Sequence, residues 1–201
     1  VQRWESAKGL GSTLSQIRHQ LDLSCVQLDG SHSLSKRGGQ EVGYQGRKKG
    51  KTSNMLFMSD NQGLILSCGE VVSGEHHDLY NIADLFKGLL SLLQEAGVET
   101  KDLFLNADAG FDSKEFRQVC REQEIHPNID FNKRNQQQET HSVDYVYFDE
   151  ELYKQRFGIE RANAWIDSFK ALLVRFETLA RNWRALHFIA FAVIFIKKLK
   201  L

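Results

Sequence analysis

The chain has 201 residues, 41% hydrophobic and 26% charged, with 26 Lys/Arg balanced by 26 Asp/Glu; this is enough length and apolar content for one packed core and excludes a chain dominated by disorder. Its cysteines, Cys25, Cys68 and Cys120, form neither an even disulfide framework nor a paired CxxC zinc motif, and read as small buried hydrophobes in a reducing compartment. The apolar run from Leu186 to Ile196 is shorter than the ~20 residues that span a bilayer, so it is expected to be a buried terminal helix, with no leader opening the chain and no membrane as partner.

SCVQLDGS (24–31) reads as a short strand ending on Asp29, followed by a Gly/Ser/Lys-rich loop to about Lys51. TSNMLFMSDNQGLILSCGEVV gives two strand-like runs joined by the turn residues Asp60 to Gly63. DLYNIADLFKGLLSLLQEAG has apolar residues at helical spacing, with Asp78 as the expected N-cap and Gly97 past the end. DLFLNAD (102–108) is a strand ending on an aspartate, and Asp112 with Glu115 offers a capping pair for a helix through about Glu122. A short strand over His126–Ile129 follows.

NKRNQQQETHS (132–142) is polar and aperiodic, and reads as a loop; VDYVYFDEE predicts a brief strand before a helix over YKQRFGIERANAWID (153–167). On that helix Tyr153, Phe157, Glu160 and Ala164 share one stripe, while Trp165, Phe169, Leu172 and Phe176 form another that is expected to be core. Trp183 also reads as core, and Trp4 as packing against a preceding segment. The order β-β-β-α-β-α-β-α without a linker predicts one mixed α/β domain over residues 1–201.

Charge is unevenly spread. Residues 1–60 carry 9 Lys/Arg against 5 Asp/Glu, residues 61–150 carry 7 against 17, and residues 151–201 carry 10 against 4. An acidic middle between basic ends fits a protein that gathers carboxylates around metal ions and offers cations to a polyanion, though solubility explains it as well. Asp29 and Asp108 at strand ends, with Glu160 on a later helix, are acids from separate elements, as a Mg²⁺ site for phosphoryl transfer requires. Aspartates after strands are equally routine turn formers, and Glu160 by itself reads as a solvated charge near Arg156 or Arg161.

GRKKGKT (46–52) ends like a phosphate-binding loop, but Gln45 stands where the first glycine belongs and a strand follows. Lys36, Arg37, Arg47, Lys48, Lys49 and Lys51 are candidate DNA-phosphate contacts, the alternative being a merely solvated loop. The adjacent His76 and His77 read as the approach to a helix cap rather than a zinc site.

Three stretches together carry a family resemblance: QLDGSHSLSKRGGQEVGYQGRKKGKTSNMLFMSDNQG, LFLNADAGFDSKEFR, and YKQRFGIERANAWID with its Tyr-x2-Arg-x3-Glu spacing. From about Leu21 to its C-terminus the chain resembles the catalytic portion of bacterial insertion-sequence transposases of the DDE class. The resemblance implies an α/β, ribonuclease H-like mixed sheet of about five strands flanked by helices, with a helical C-terminus, in agreement with the element order. It implies Asp29, Asp108 and Glu160 as the catalytic, metal-holding acids, acting with Mg²⁺, two ions being the expectation and Mn²⁺ a substitute.

Tyr153 and Arg156 match the signature's Tyr and Arg, expected to position Glu160 and contact DNA phosphate. The family's lysine seven residues after the glutamate is Asp167 here, and Lys170, a turn further, is the candidate replacement cation. Residues 1–20 would be the remnant of an N-terminal DNA-binding segment.

The expected function is metal-dependent phosphodiester cleavage at element ends and strand transfer into target DNA. Double-stranded DNA, both element ends and target, is the expected partner. A homodimer on DNA and a bacterial cytoplasmic location, at the nucleoid when bound, complete the expectation. A stand-alone nuclease or resolvase of the same fold and an inactive DNA-binding remnant are the alternatives; the intact acid trio favours an enzyme.

Overall fold

The computed structural model describes residues 8–132 and 147–199. Its elements are α1 (Lys8–Ile17), β1 (Val26–Ser35), β2 (Gly43–Gln45), β3 (Gly50–Ser59), β4 (Ile65–Cys68), β5 (Val72–Ser73), α2 (Ile82–Glu95), β6 (Phe104–Ala107), α3 (Lys114–Glu122), β7 (His126–Ile129), α4 (Glu150–Tyr153), α5 (Phe157–Asp167), α6 (Lys170–Leu173), β8 (Val174–Arg175) and α7 (Ala180–Lys198). Trp4, most of the 132–142 stretch and residues 143–146 of the expected strand lie outside the described residues. Residues 147–149 are not strand.

β1 and β3 pair antiparallel from Gln27↔Ser59 to Leu34↔Thr52. The far edge of β3 takes β2, β5 and β4 in succession along its length. On the other edge of β1, β6 pairs parallel at Val26 and Gln27, and β7 pairs parallel with β6. Parallel neighbours need a crossover, and α2 and α3 supply it. The main path β2-β3-β1-β6-β7, with β4, β5 and β8 attached at its sides, is one mixed sheet flanked by helices, as expected.

One departure bears directly on the site. β1 does not end at Asp29 but runs on to Ser35, because Thr52, Ser53 and Asn54 on β3 continue the ladder opposite Leu34, Ser33 and His32. Its other edge changes partner: β6 stops pairing at Gln27 and β8 begins at Leu34. Asp29 therefore sits in mid-strand where two parallel neighbours part.

The core lies on both faces of this sheet. Ile82, Leu85, Phe86, Leu89, Leu90 and Leu93 form the buried stripe of α2 at helical spacing, and Phe86 meets Phe116 of α3 edge-on at 5.1 Å. Leu14 and Ile17 of α1 are buried in the same core. Arg175 on β8 is buried; it donates to Ser53 Oγ and to the carbonyls of Glu177 and Thr178, and lies 5.1 Å from the Trp183 ring.

Several local expectations are corrected. The N-cap of α2 is Asn81, with φ 49°, while the Asp78 carboxylate accepts from Asn54 Nδ2 at 2.7 Å. The cap of α3 is Ser113, whose hydroxyl accepts from Phe116 N, because Asp112 is occupied by Arg117 at 2.8 Å. The stripe Trp165–Phe169–Leu172–Phe176 is not continuous: α5 ends at Asp167 and Phe169 is extended, so Leu172 is buried while Phe176 is exposed. The buried face of α5 is instead Gly158, Ile159, Ala162 and Ile166.

The terminal helix α7 is two-sided rather than wholly buried, with Trp183, Phe191 and Phe195 inside and Leu186, Ile189 and Ile196 exposed. The cysteines are free and buried, and burial pushes their thiols up to about 11 for Cys68 and about 12 for Cys25 and Cys120. Among the described residues no helix is long and apolar enough to cross a membrane.

Candidate active site

Three buried amides form a row across the sheet: Gln27 on β1 is in register with Asn106 on β6, and Asn106 with Asn128 on β7. Asn128 Nδ2 donates to Asn106 Oδ1 at 2.8 Å, and Asn106 Nδ2 donates to the carbonyl of Leu152 at 2.7 Å. Asn128 also accepts from Asp149 N and donates to Asp149 O. A polar row in the middle of a sheet is costly unless its bonds are met. For Asn106 and Asn128 they are met by the backbone entering and forming α4, which fastens that helix across the C-terminal ends of β6 and β7; Gln27 donates Nε2–H to Asn61 Oδ1 at 3.2 Å, and its buried Oε1 has no partner among the described residues.

The signal for this row is in the sequence, where each strand carries an amide two residues before an aspartate: Gln27-Leu28-Asp29, Asn106-Ala107-Asp108 and Asn128-Ile129-Asp130. Alternation along a strand puts each amide and its aspartate on one face. Reading only the acids misses the amides beneath them.

Asp29 and Asp108 thus stand side by side at the point where β1 and β6 part. Gly110 N donates to Asp108 Oδ1 at 2.8 Å, and Asp108 caps the short turn Ala109–Phe111, as the turn-forming reading of this aspartate expects. Burial pushes the Asp29 carboxyl up to about 6, opposed by the Arg156 guanidinium and reinforced by the negative charge of Asp108 and, more weakly, of Asp78. Asp78 lies over Gly30 so closely that a side chain there would have no room. Its partners are Asn54 and, at 4.0 Å, His32.

From the opposite side comes the segment 150–167, folded as α4, a single 3-10 turn over Lys154–Arg156, and α5. Arg156 lies 5.5 Å from the Tyr153 ring and acts on Asp29. Asn163 donates Nδ2–H to Asp29 Oδ2 at 3.0 Å. Glu160, one turn before Asn163 on the same face, is exposed. Gly158 lets this helix close on the sheet: an added Cβ would lie 2.9 Å from the Asn61 carbonyl in the Asp60–Gly63 turn.

For a divalent cation the residues fit. Asp29 and Asp108 are neighbouring hard oxygen donors whose charges act on one another, and Asn163 Oδ1, buried next to Asp29, has no hydrogen-bond partner among the described residues. Among the described residues no three His, Cys, Asp or Glu side chains are gathered tightly enough to enclose an ion. The structure thus brings Asp29, Asp108 and Arg156 together and leaves Glu160 at the solvent side of the same helix face.

The basic residues lie further out. Lys36 and Arg37 follow β1, Arg47, Lys48 and Lys49 lie in the β2–β3 turn, and Lys51 is the second residue of β3; all six are exposed. The charges of Lys48 and Arg47 reach His32, whose ring pKa is lowered mainly by burial. Lys170 is exposed at the start of α6, beyond the end of α5, so it is not the next turn of the helix that carries Asp167. His77 Nδ1 accepts from Leu79 N, and His76 stacks on Tyr80 at 3.6 Å.

The family described as "Transposase DDE domain" matches residues 15–195. The chain belongs to that family. Among solved structures, this transposase domain is similar to the Mos1 transposase paired-end complex with left transposon end, at 13% identity and TM-score 0.41 over 92% of this chain and 58% of that one. It is also similar to the catalytic domain of Mos1 mariner transposase, at 14% identity and TM-score 0.39 over 95% and 91%. A third is the Mos1 mariner paired-end complex with Mn, at 15% identity and TM-score 0.40 over 100% and 63%. The domain thus spans 58% of the first of these chains. No curated protein matches the chain.

Proposed function

We propose that this transposase domain cuts DNA at the ends of a mobile element and joins the freed strand to target DNA, using Asp29, Asp108 and Glu160 to hold divalent metal ions. The observation that carries this is that Asp29 and Asp108 each follow by two residues the register pair Gln27↔Asn106 where β1 and β6 part, with the charges of Asp108 and of Arg156 from the signature segment both acting on Asp29. Two Mg²⁺ ions, or Mn²⁺ in their place, would supply charge at the attacking and leaving oxygens of the phosphodiester.

The chain's own part is to fix the acids on a rigid sheet and set a guanidinium beside them. Tyr153 and Arg156 meet the phosphate nearest the acids, while Lys36, Arg37, Arg47, Lys48, Lys49, Lys51 and Lys170 take phosphates further along the duplex. Element ends and target are both double-stranded DNA, bound by a homodimer in the bacterial cytoplasm, at the nucleoid.

The test compares wild type with Asp29→Asn on DNA carrying element ends, with Mg²⁺ or Mn²⁺ present. The amide keeps the shape and loses the charge that holds the ions, so the variant should bind DNA as wild type does and show no strand cleavage. Undiminished cleavage would place the chemistry elsewhere.

A further inference from the structure

We infer that Asn163 is a positioning residue: it orients the Asp29 carboxylate for a divalent cation and offers its own carbonyl oxygen to that ion's hydration shell. This rests on the metal-dependent reading above and assigns a role to a residue outside the acid trio. Asp29 Oδ1 accepts from Gly30 N at 2.9 Å, and Oδ2 accepts from Asn163 Nδ2 at 3.0 Å. Each oxygen of an ionised carboxylate has two acceptor sites, so one donor on each fixes the plane of the group and leaves both oxygens able to bind a hard cation.

The donor that does this comes from α5, across 134 positions of sequence. Asn163 is one turn after Glu160 on α5 and follows the 3-10 turn that carries Arg156; Asn163 and Arg156 act on Asp29 of β1, while Glu160 is exposed. Asn163 is the member that hydrogen-bonds Asp29.

The chemistry of the side chain suits the task. A lysine or arginine here would neutralise Asp29 and compete with the metal, and an aspartate would add another repelling charge. A carboxamide donates a hydrogen bond without cancelling the negative charge on which the cation depends. Its Oδ1 is buried and has no hydrogen-bond partner among the described residues, although it lies in a polar site; a carbonyl so placed accepts from a metal-bound water and joins the ion's outer shell.

The test measures Mn²⁺ binding to the full chain by calorimetry, beside thermal melting without metal, for wild type, Asp29→Asn and Asn163→Leu. Leucine fills a similar volume and removes both the donor and the acceptor. Outer-shell partners change metal affinity by about 10 to 100-fold, so Asn163→Leu should weaken Mn²⁺ binding at least about tenfold while melting close to wild type. Wild-type affinity in Asn163→Leu, whether or not its melting temperature falls, would overturn the inference and leave the role of Asp29 standing. Failure of wild type to bind Mn²⁺, or unchanged binding by Asp29→Asn, would overturn the metal reading itself.

Should the leucine variant not fold, the wild-type protein still decides. The side-chain amide signals of Asn163 should shift during a Mg²⁺ titration with the same midpoint as the Asp29 carboxylate carbon. Signals that stay fixed while Asp29 shifts would overturn the role given to Asn163.

Discussion

Asn106 donates its side-chain N–H to the carbonyl of Leu152 at 2.7 Å, so the strand that leads into Asp108 also holds the helical entry to Tyr153, Arg156 and Glu160. Two parts of the site, far apart in sequence, are fixed by one buried amide. Asn106→Leu would leave both the Leu152 carbonyl and Asn128 Nδ2 without this partner. Stranding a buried polar group costs about 1 to 3 kcal/mol, so urea unfolding should show a loss of that order. DNA cleavage should fall further than the loss of folded protein accounts for, because the signature segment is released from the acids. Cleavage that falls only in proportion to folded fraction would confine Asn106 to stability.

Gly158 should respond to alanine against the usual helical trend. Inside a helix Gly→Ala ordinarily gains up to about 1 kcal/mol, but here the new Cβ would stand 2.9 Å from the backbone carbonyl of Asn61. Gly63 across the contact has φ +90° and would bring its own Cβ within 2.6 Å of the Gly158 carbonyl, so neither side has slack. Overpacking of this kind costs about 1 to 3 kcal/mol. Chemical denaturation of Gly158→Ala should therefore show net destabilisation, and a more stable variant would contradict the close approach of α5 to this turn.

His187 makes stability depend on pH with a definite sign. It is buried, and burial pulls its pKa from 6.5 down to about 4 despite the bond to the Trp183 carbonyl. A base with a depressed pKa in the folded state contributes stability that is complete above 6.5 and lost as pH falls toward 4, a difference of about 2 to 3 kcal/mol. Asp29 and Asp60, both pushed up to about 6 by burial, act in the opposite sense: their contribution is lost as pH rises through 6. The informative quantity is thus the difference between wild type and His187→Phe in thermal melting from pH 7 to pH 4.5. Wild type should lose more stability than the variant over that interval, and parallel curves would show that His187 does not titrate there.

Much of the fold was legible in the sequence because it rests on period and punctuation. The apolar stripe of α2 and the Asp60–Gly63 turn are each specified by residues within a few positions of one another. The length of β1 was not legible: Gly30 and Ser31 look like a turn, and only the partner strand, with Thr52, Ser53 and Asn54 in register, keeps them extended. Asp78 looked like a helix cap for the same local reason and was claimed instead by Asn54, 24 residues away.

At the candidate site, motif spacing singles out Asp29, Asp108 and Glu160. It does not single out the amide row or the Asn163–Asp29 bond, since register between β1, β6 and β7 and the docking of α5 are long-range facts.

The turn between β2 and β3 offers a test of DNA tracking. Arg47, Lys48 and Lys49 are exposed there, so replacing all three with alanine should leave the core undisturbed. Each phosphate contact contributes roughly −0.9 to the slope of log K against log salt. The triple variant should flatten that slope by up to about 2 to 3 units and weaken binding alike on all sequences, because phosphates carry no base identity. Titrations between about 50 and 200 mM salt span the range in which such contacts act most visibly. An unchanged slope would remove this turn from the DNA-binding surface.

The central claim is that Asp29, Asp108 and Glu160 hold the ions for strand cleavage, and the most direct measurement is the anomalous scattering of Mn²⁺ soaked into crystals of the protein. The account predicts a peak between the Asp29 and Asp108 carboxylates, with Glu160 turned inward from its exposed position toward it. Well-ordered crystals that show Mn²⁺ at other sites, with Asp29 and Asp108 unliganded, would contradict it.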